Sequence, residues 1–158
     1  MTGPVLFACD AGATRGIRCL TITNDEEPTT VTNDDVQHWL DRYVDAWRSY
    51  DPEAIGDLFA ERVEYRYHPW DEPIVGRAEV VRAWVAPAGN ESGRDEPGTW
   101  DAKYEPYAVD GDRAVAIGWS RYFAQGTTPE RLYHNVYLLA FDGEGRCETF
   151  TEYYVEQK

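Results

Sequence analysis

The residue whose setting most invites chemistry is Glu152. In the segment CETFTEYYVE, read with a period of two, Glu148, Phe150, Glu152 and Tyr154 share one face, so a carboxylate stands between two aromatic rings. A charge on such a face has to be paired or neutralised. Arg121, in RAVAIGWSRYFAQ and on one face with Val115, Ile117, Trp119 and Phe123, is the candidate partner. Two readings are open: a structural Glu152–Arg121 pair, or an acid/base group whose pKa is set by burial and by that arginine. His68 is the second candidate. It closes an alternating run just before Pro69, and imidazole is a side chain suited to a general base; a lone histidine at a strand end is more often a structural or surface residue.

Other chemistries have no foothold. His38, His68 and His134 are scattered singly, and the sequence has no glycine-rich phosphate loop and no GxSxG nucleophile, so neither a metal nor a cofactor is expected. With 158 residues and 42% hydrophobic content, the chain is long enough for one domain with a real core. A net charge of −14 argues against nucleic acid and anionic membrane as partners. No apolar run approaches the roughly 20 residues that span a bilayer. Cys9, Cys19 and Cys147 have no metal or disulfide spacing, which favours reduced thiols and a cytoplasmic setting. The start, MTGPVLFACDAG, lacks the basic residues and long apolar stretch of a secretory signal or a lipid-attached Cys9. Six tryptophans favour a roomy, amphipathic cavity over a tight aliphatic one.

Residues 1–30 read as a weakly ordered extension, with IRCLTI an alternative edge strand. The domain proper then spans 31–158. Thr32 is a sound N-cap for a helix with Asp34 and Asp35 in its first turn. Val36, Trp39, Leu40, Tyr43, Val44 and Trp47 follow the spacing of one apolar face. Asp51 caps a second helix with Pro52 at its first position, and Ala54, Ile55, Leu58 and Phe59 form its buried stripe. Val63, Tyr65 and Tyr67 then alternate with Glu64, Arg66 and His68 in a half-buried strand, whose final parity is open between Tyr67 and His68. The bridge WDEPIVG leads to a third helix near Arg77–Ala86, and AGNESGRDEPG is a loop. From Thr99 onward, long alternating runs joined by glycine-bearing turns predict an antiparallel meander of four strands.

This order of elements resembles the nuclear transport factor 2-like superfamily, which includes the SnoaL-like polyketide cyclases and the ketosteroid isomerases. The stretches that carry the likeness are RYVDAWRSYDPEAIGDLFAERVEY, HPWDEPIVGRAEVVRAWV and VYLLAFDGEGRCETFTEYY, within about Asn33 to Glu156. The resemblance implies an α+β, cone-shaped fold in which a strongly curved antiparallel sheet wraps a long N-terminal helix, with about three helices (an NTF2-like or cystatin-like roll). It also implies a pocket between helix and sheet, and a homodimer through the convex face. In ketosteroid isomerases a tyrosine of the first helix and a protonated aspartate of the meander hold an enolate oxygen while a carboxylate moves the proton. Tyr43 matches that tyrosine, His68 stands where the base would be, and Tyr137 where the aspartate would be. With the bulky sets taken as inward, Glu152, Arg121, Asn135 and Tyr137 fall in or near the pocket. Trp39, Trp70, Trp84, Trp119, Phe150 and Tyr154 would wall it. Ala114, Ala116, Gly118 and Ser120 would lie on the convex, dimer-forming face, and His134 would also point there. The expected ligand is a small hydrophobic molecule. Two functions follow: cofactor-free acid–base catalysis of isomerase, cyclase or dehydratase type, or a non-catalytic ligand-binding or scaffold role.

Overall fold

The computed structural model describes residues 30–86, 94–127 and 129–158. The extension read over 1–30 therefore falls almost wholly outside the described residues, as does part of the loop after the third helix. Helix α1 (Asn33–Ser49) starts where the cap was read. The Thr32 hydroxyl accepts from the Asp35 amide at 3.2 Å, and the Asp35 carboxylate accepts from the Thr32 amide at 2.9 Å, a reciprocal box that satisfies two orphan donors. Tyr50 ends the helix in the left-handed region, at φ 50°. Asp51 then caps α2 (Pro52–Leu58). Phe59, read as part of that helix, instead opens strand β1 (Phe59–Arg66), because the chain turns extended directly at Leu58.

The bridge before the third helix contains a short strand not read from the sequence, β2 (Ile74–Val75), which pairs antiparallel with β1. Helix α3 (Arg77–Trp84) follows Gly76, whose φ of 96° lies in the region that glycine tolerates. The meander is β3 (Trp100–Asp110), β4 (Arg113–Tyr122), β5 (Arg131–Phe141) and β6 (Cys147–Glu156). The sheet order is β2-β1-β6-β5-β4-β3. Because β1 runs parallel to β6, with Tyr65 opposite Phe150, the sheet is mixed, and it stays open. Three helices on this curved sheet make an α+β, cone-like fold.

The core lies between α1 and the concave face. Phe150 stacks on Tyr65 at 4.5 Å and on Tyr43 at 5.5 Å, while Trp39 donates its indole proton to the Leu58 carbonyl at 2.9 Å. The parity read for β4 is reversed. Ala114, Ala116 and Ser120 are buried against the interior, so Val115, Ile117, Trp119 and Arg121 face outward. The cause is crowding from the neighbouring strands. Tyr104 of β3 and Tyr137 of β5 project their rings across β4, with centroids 4.6 Å apart. A Cβ on Gly118 would lie 2.2 Å from the Lys103 carbonyl oxygen and 2.3 Å from a Tyr104 ring carbon. Small residues on β4 are the space that the rings occupy.

Gly118→Ala should accordingly destabilise the fold by about 2–3 kcal/mol, read as a lowered urea midpoint. Thr32→Ala, which removes only the cap, should cost about 1 kcal/mol.

Candidate functional site

Between α1, α3 and the concave sheet is a cavity of about 620 Å³. Its lining includes the carboxyl of Glu152, on β6 directly opposite Tyr137 of β5. The Asn135 side-chain amide donates to Glu152 Oε1 at 2.6 Å, and Ser120 Oγ sits 3.4 Å from Asn135 Oδ1, so a polar line crosses β4, β5 and β6. Arg121 takes no part in it. The guanidinium lies on the outer face, half exposed, and holds both carboxylate oxygens of Glu130 at 2.9 Å. The Glu152–Arg121 pair is thereby excluded by the reversed parity of β4. Among the described residues Glu152 has no ion-pair partner, and burial pushes its pKa up to about 7; the Asn135 hydrogen bond and then the charge of His68 pull it partly back.

Phenols surround this carboxyl. Tyr43 from α1 and Tyr65 from β1 bring their hydroxyls within 3.3 Å of each other, and Tyr137 packs against Tyr43 with centroids 5.6 Å apart. Burial holds all three pKa values well above the ordinary tyrosine value, with the nearby carboxyl of Glu152 among the further causes, so each hydroxyl keeps its proton. Trp84 completes this wall from α3; its indole Nε1 is buried with no hydrogen-bond partner among the described residues.

At the rim, β1 ends at Arg66, and the turn that follows lets both Tyr67 and His68 reach the cavity. The parity left open between them thus dissolves. His68 Nδ1 is 2.7 Å from Asp71 Oδ2, and Nε2 is 2.8 Å from Tyr154 Oη. At the opposite side of the mouth, Asp95 accepts from Trp47 Nε1 at 3.0 Å and donates its amide to Tyr50 Oη at 2.7 Å. Burial raises the Asp95 pKa. Arg131 lies over the rings of Tyr122 and Tyr133 at 5.5 and 5.8 Å.

Of the residues read as catalytic, Glu152, His68, Tyr43 and Tyr137 all line this one cavity. Of those read as its walls, Trp84, Asn135 and Tyr154 line it. Trp39 and Phe150 lie behind the lining as core. Trp70 is 79% exposed and stacks on the outer side of the His68 ring at 5.1 Å. Trp119 pairs with His134 on the convex face, carried there by the same parity error as Arg121. Asp71 and Asp95 were missed. Asp71 stands three residues after His68 in HPWD, a spacing that a turn brings together; Asp95 sits in a loop whose sequence gave no sign of folding back over α1.

Among the described residues no group of three or more His, Cys, Asp or Glu side chains is arranged to hold a metal ion, and no helix is long and apolar enough to cross a membrane. The sequence model of the SnoaL-like domain matches residues 40–147. Among solved structures, the fold is similar to a putative ketosteroid isomerase from Kribbella flavida DSM 17836, at 20% identity and a TM-score of 0.56, covering 80% of this chain and 82% of that one. It is also similar to an NTF-2 like protein of unknown function from Burkholderia xenovorans LB400, at 16% identity and a TM-score of 0.56, covering 79% and 86%. A search of curated proteins finds no match. Most of the sequence fits one domain model and its folded form has the open, helix-wrapping sheet of that group: the chain belongs to the SnoaL-like domain family, within the NTF2-like superfamily.

Proposed function

We propose that this chain binds a small, largely apolar molecule and performs cofactor-free acid–base chemistry on it, with Glu152 as the group that takes and returns the proton. The observation that carries this reading is a largely buried carboxyl with no ion-pair partner among the described residues, its pKa raised to about 7, in a cavity of about 620 Å³. A general acid/base works best when its pKa lies near the operating pH. Tyr43 and Tyr137, kept protonated by burial, are donors suited to a developing oxyanion, and Asn135 fixes the orientation of the carboxyl. His68 is a second proton carrier at the rim. The solved neighbour from Kribbella flavida is called a putative ketosteroid isomerase, which is compatible with proton transfer next to a carbonyl. The cytoplasm is the compartment we assign, from three cysteines without disulfide spacing.

A non-catalytic reading has its own support. The outer face carries an apolar row, Ile117–Val136–Tyr153, beside Trp119 and Val155, which flank His134, with Val136, Tyr153 and Val155 all exposed. Such a surface is what a second copy would cover, and a dimeric scaffold would need no chemistry in the cavity. The dimer is abandoned if sedimentation at micromolar concentration finds only monomer.

The catalytic reading is tested with a ligand found by thermal-shift screening. Glu152→Gln should bind it with near-normal affinity while losing turnover by a factor on the order of 10² to 10⁴. If Glu152→Gln and His68→Ala both bind and turn over normally, the chemistry proposed here does not occur. The carboxyl also makes stability depend on pH. Its folded pKa is raised from 4.5 to about 7, so the folded chain holds a proton that the unfolded chain gives up. Stability therefore falls as pH rises from about 4.5 to 7 and levels off above. Glu152→Gln should flatten that slope, gaining on the order of 2 kcal/mol over the wild type between pH 5 and pH 8 in urea titrations.

A further inference from the structure

The geometry points to Tyr154 as a second reactive group of the cavity: a rim phenol that accepts a proton from a bound ligand while passing its own to His68, with Asp71 as the positioning residue. The inference does not rest on Glu152. It rests on two hydrogen bonds made by one imidazole. A carboxylate can only accept, so the 2.7 Å contact with Asp71 Oδ2 places the His68 proton on Nδ1. In the neutral imidazole Nε2 is then a bare lone pair, and it bonds to Tyr154 Oη at 2.8 Å by accepting the phenolic proton. That leaves the oxygen lone pairs of Tyr154 free to face the cavity that this residue lines. Orienting carboxylate, imidazole base and hydroxyl stand in the order that activates a weak nucleophile.

Three contacts hold the arrangement. Trp70 lies flat on the imidazole, at 5.1 Å and 15°. Tyr133 meets the Tyr154 ring edge-on, at 5.5 Å and 89°. Asp71 fixes the remaining ring nitrogen. Nothing else the site needs explains an exposed tryptophan spread over a histidine. Burial and the nearby carboxyls of Glu152 and Asp71 push the Tyr154 pKa up, so the phenol is neutral at rest. It becomes reactive only as His68 takes the proton, as a serine hydroxyl does beside its histidine. Tyr43 and Tyr65, by contrast, share a hydrogen bond with each other.

The test needs no substrate. Benzenesulfonyl fluoride reacts with a phenol by forming an O–S bond and breaking the S–F bond; fluoride leaves and the phenolic proton goes to His68 Nε2. Tyr153, 44% exposed beside the 45% of Tyr154 but on the opposite face of β6, and Tyr107, 72% exposed, serve as internal controls. With the full chain at pH 8, peptide mapping by mass spectrometry should find Tyr154 labelled about tenfold faster than either control. His68→Phe should bring Tyr154 down to the rate of Tyr107. Asp71→Asn, which can reverse the tautomer while leaving the ring in place, should slow it severalfold, and 15N spectra of the His68 ring should show the proton leaving Nδ1. Equal labelling of Tyr154 and Tyr107, or labelling of Tyr154 in His68→Phe at the wild-type rate, overturns the assignment. If His68→Phe does not fold, the Asp71→Asn rate and tautomer decide it: no change in either is equally fatal.

Discussion

The contact on which the rest of this structure depends is a three-ring column. Tyr65 of β1, Phe150 of β6 and Tyr43 of α1 stack in sequence, the first pair within 2° of parallel and the second within 13°. Each ring comes from a different element, so the column fixes helix against sheet and β1 against β6 at once. Aromatic pairs add roughly 0.5–1.5 kcal/mol each beyond the area they bury. The column fills one part of the concave face with solid core. What lies beside it cannot be filled by the same rings and is left as cavity.

The electrostatics of that cavity follow from its walls. Rings and indoles offer hydrogen bonds at their tips but no counter-charge, so a carboxyl among them is raised in pKa and the phenols are raised with it. Both shifts have the same cause, burial, and they leave phenols that stay protonated beside a carboxyl that titrates near pH 7. The charged groups, Asp71, Asp95 and Arg131, are confined to the mouth, nearer to solvent.

Helix α1 was legible almost to the residue, because an N-cap threonine, an acidic first turn and an apolar stripe all agreed. So was the meander, because glycine-bearing turns interrupt long alternating runs. The face of β4 was not. Large apolar residues on a strand ordinarily point inward, but the inward direction of β4 is set by Tyr104 and Tyr137 on its neighbours, and a single strand read alone carries no trace of them. That one inversion displaced Trp119 and Arg121 and produced a false partner for Glu152. The parallel pairing of β1 with β6 was hidden for a similar reason, since the partners lie at opposite ends of the domain. Tyr137, Asn135 and Glu152 were found because strands β5 and β6 do keep their large residues inward, and Tyr43 because it sits on the apolar stripe of α1. Asp71 and Asp95 were not, because each acts from a turn or loop where side-chain direction follows no period.

The β1–β6 pairing also sets an order of events in folding. Strand β1 is made before the meander, yet its parallel partner is the meander's final strand, and Phe150 in the ring column belongs to that same strand. Until it emerges, the sides of Tyr43 and Tyr65 that Phe150 covers stay open to water or to other chains. Long-range pairings of this kind are slow to form and leave apolar surface exposed meanwhile. The strand that brings the acid to the cavity is therefore also the one that completes the fold, and a chain that has not finished folding has no site.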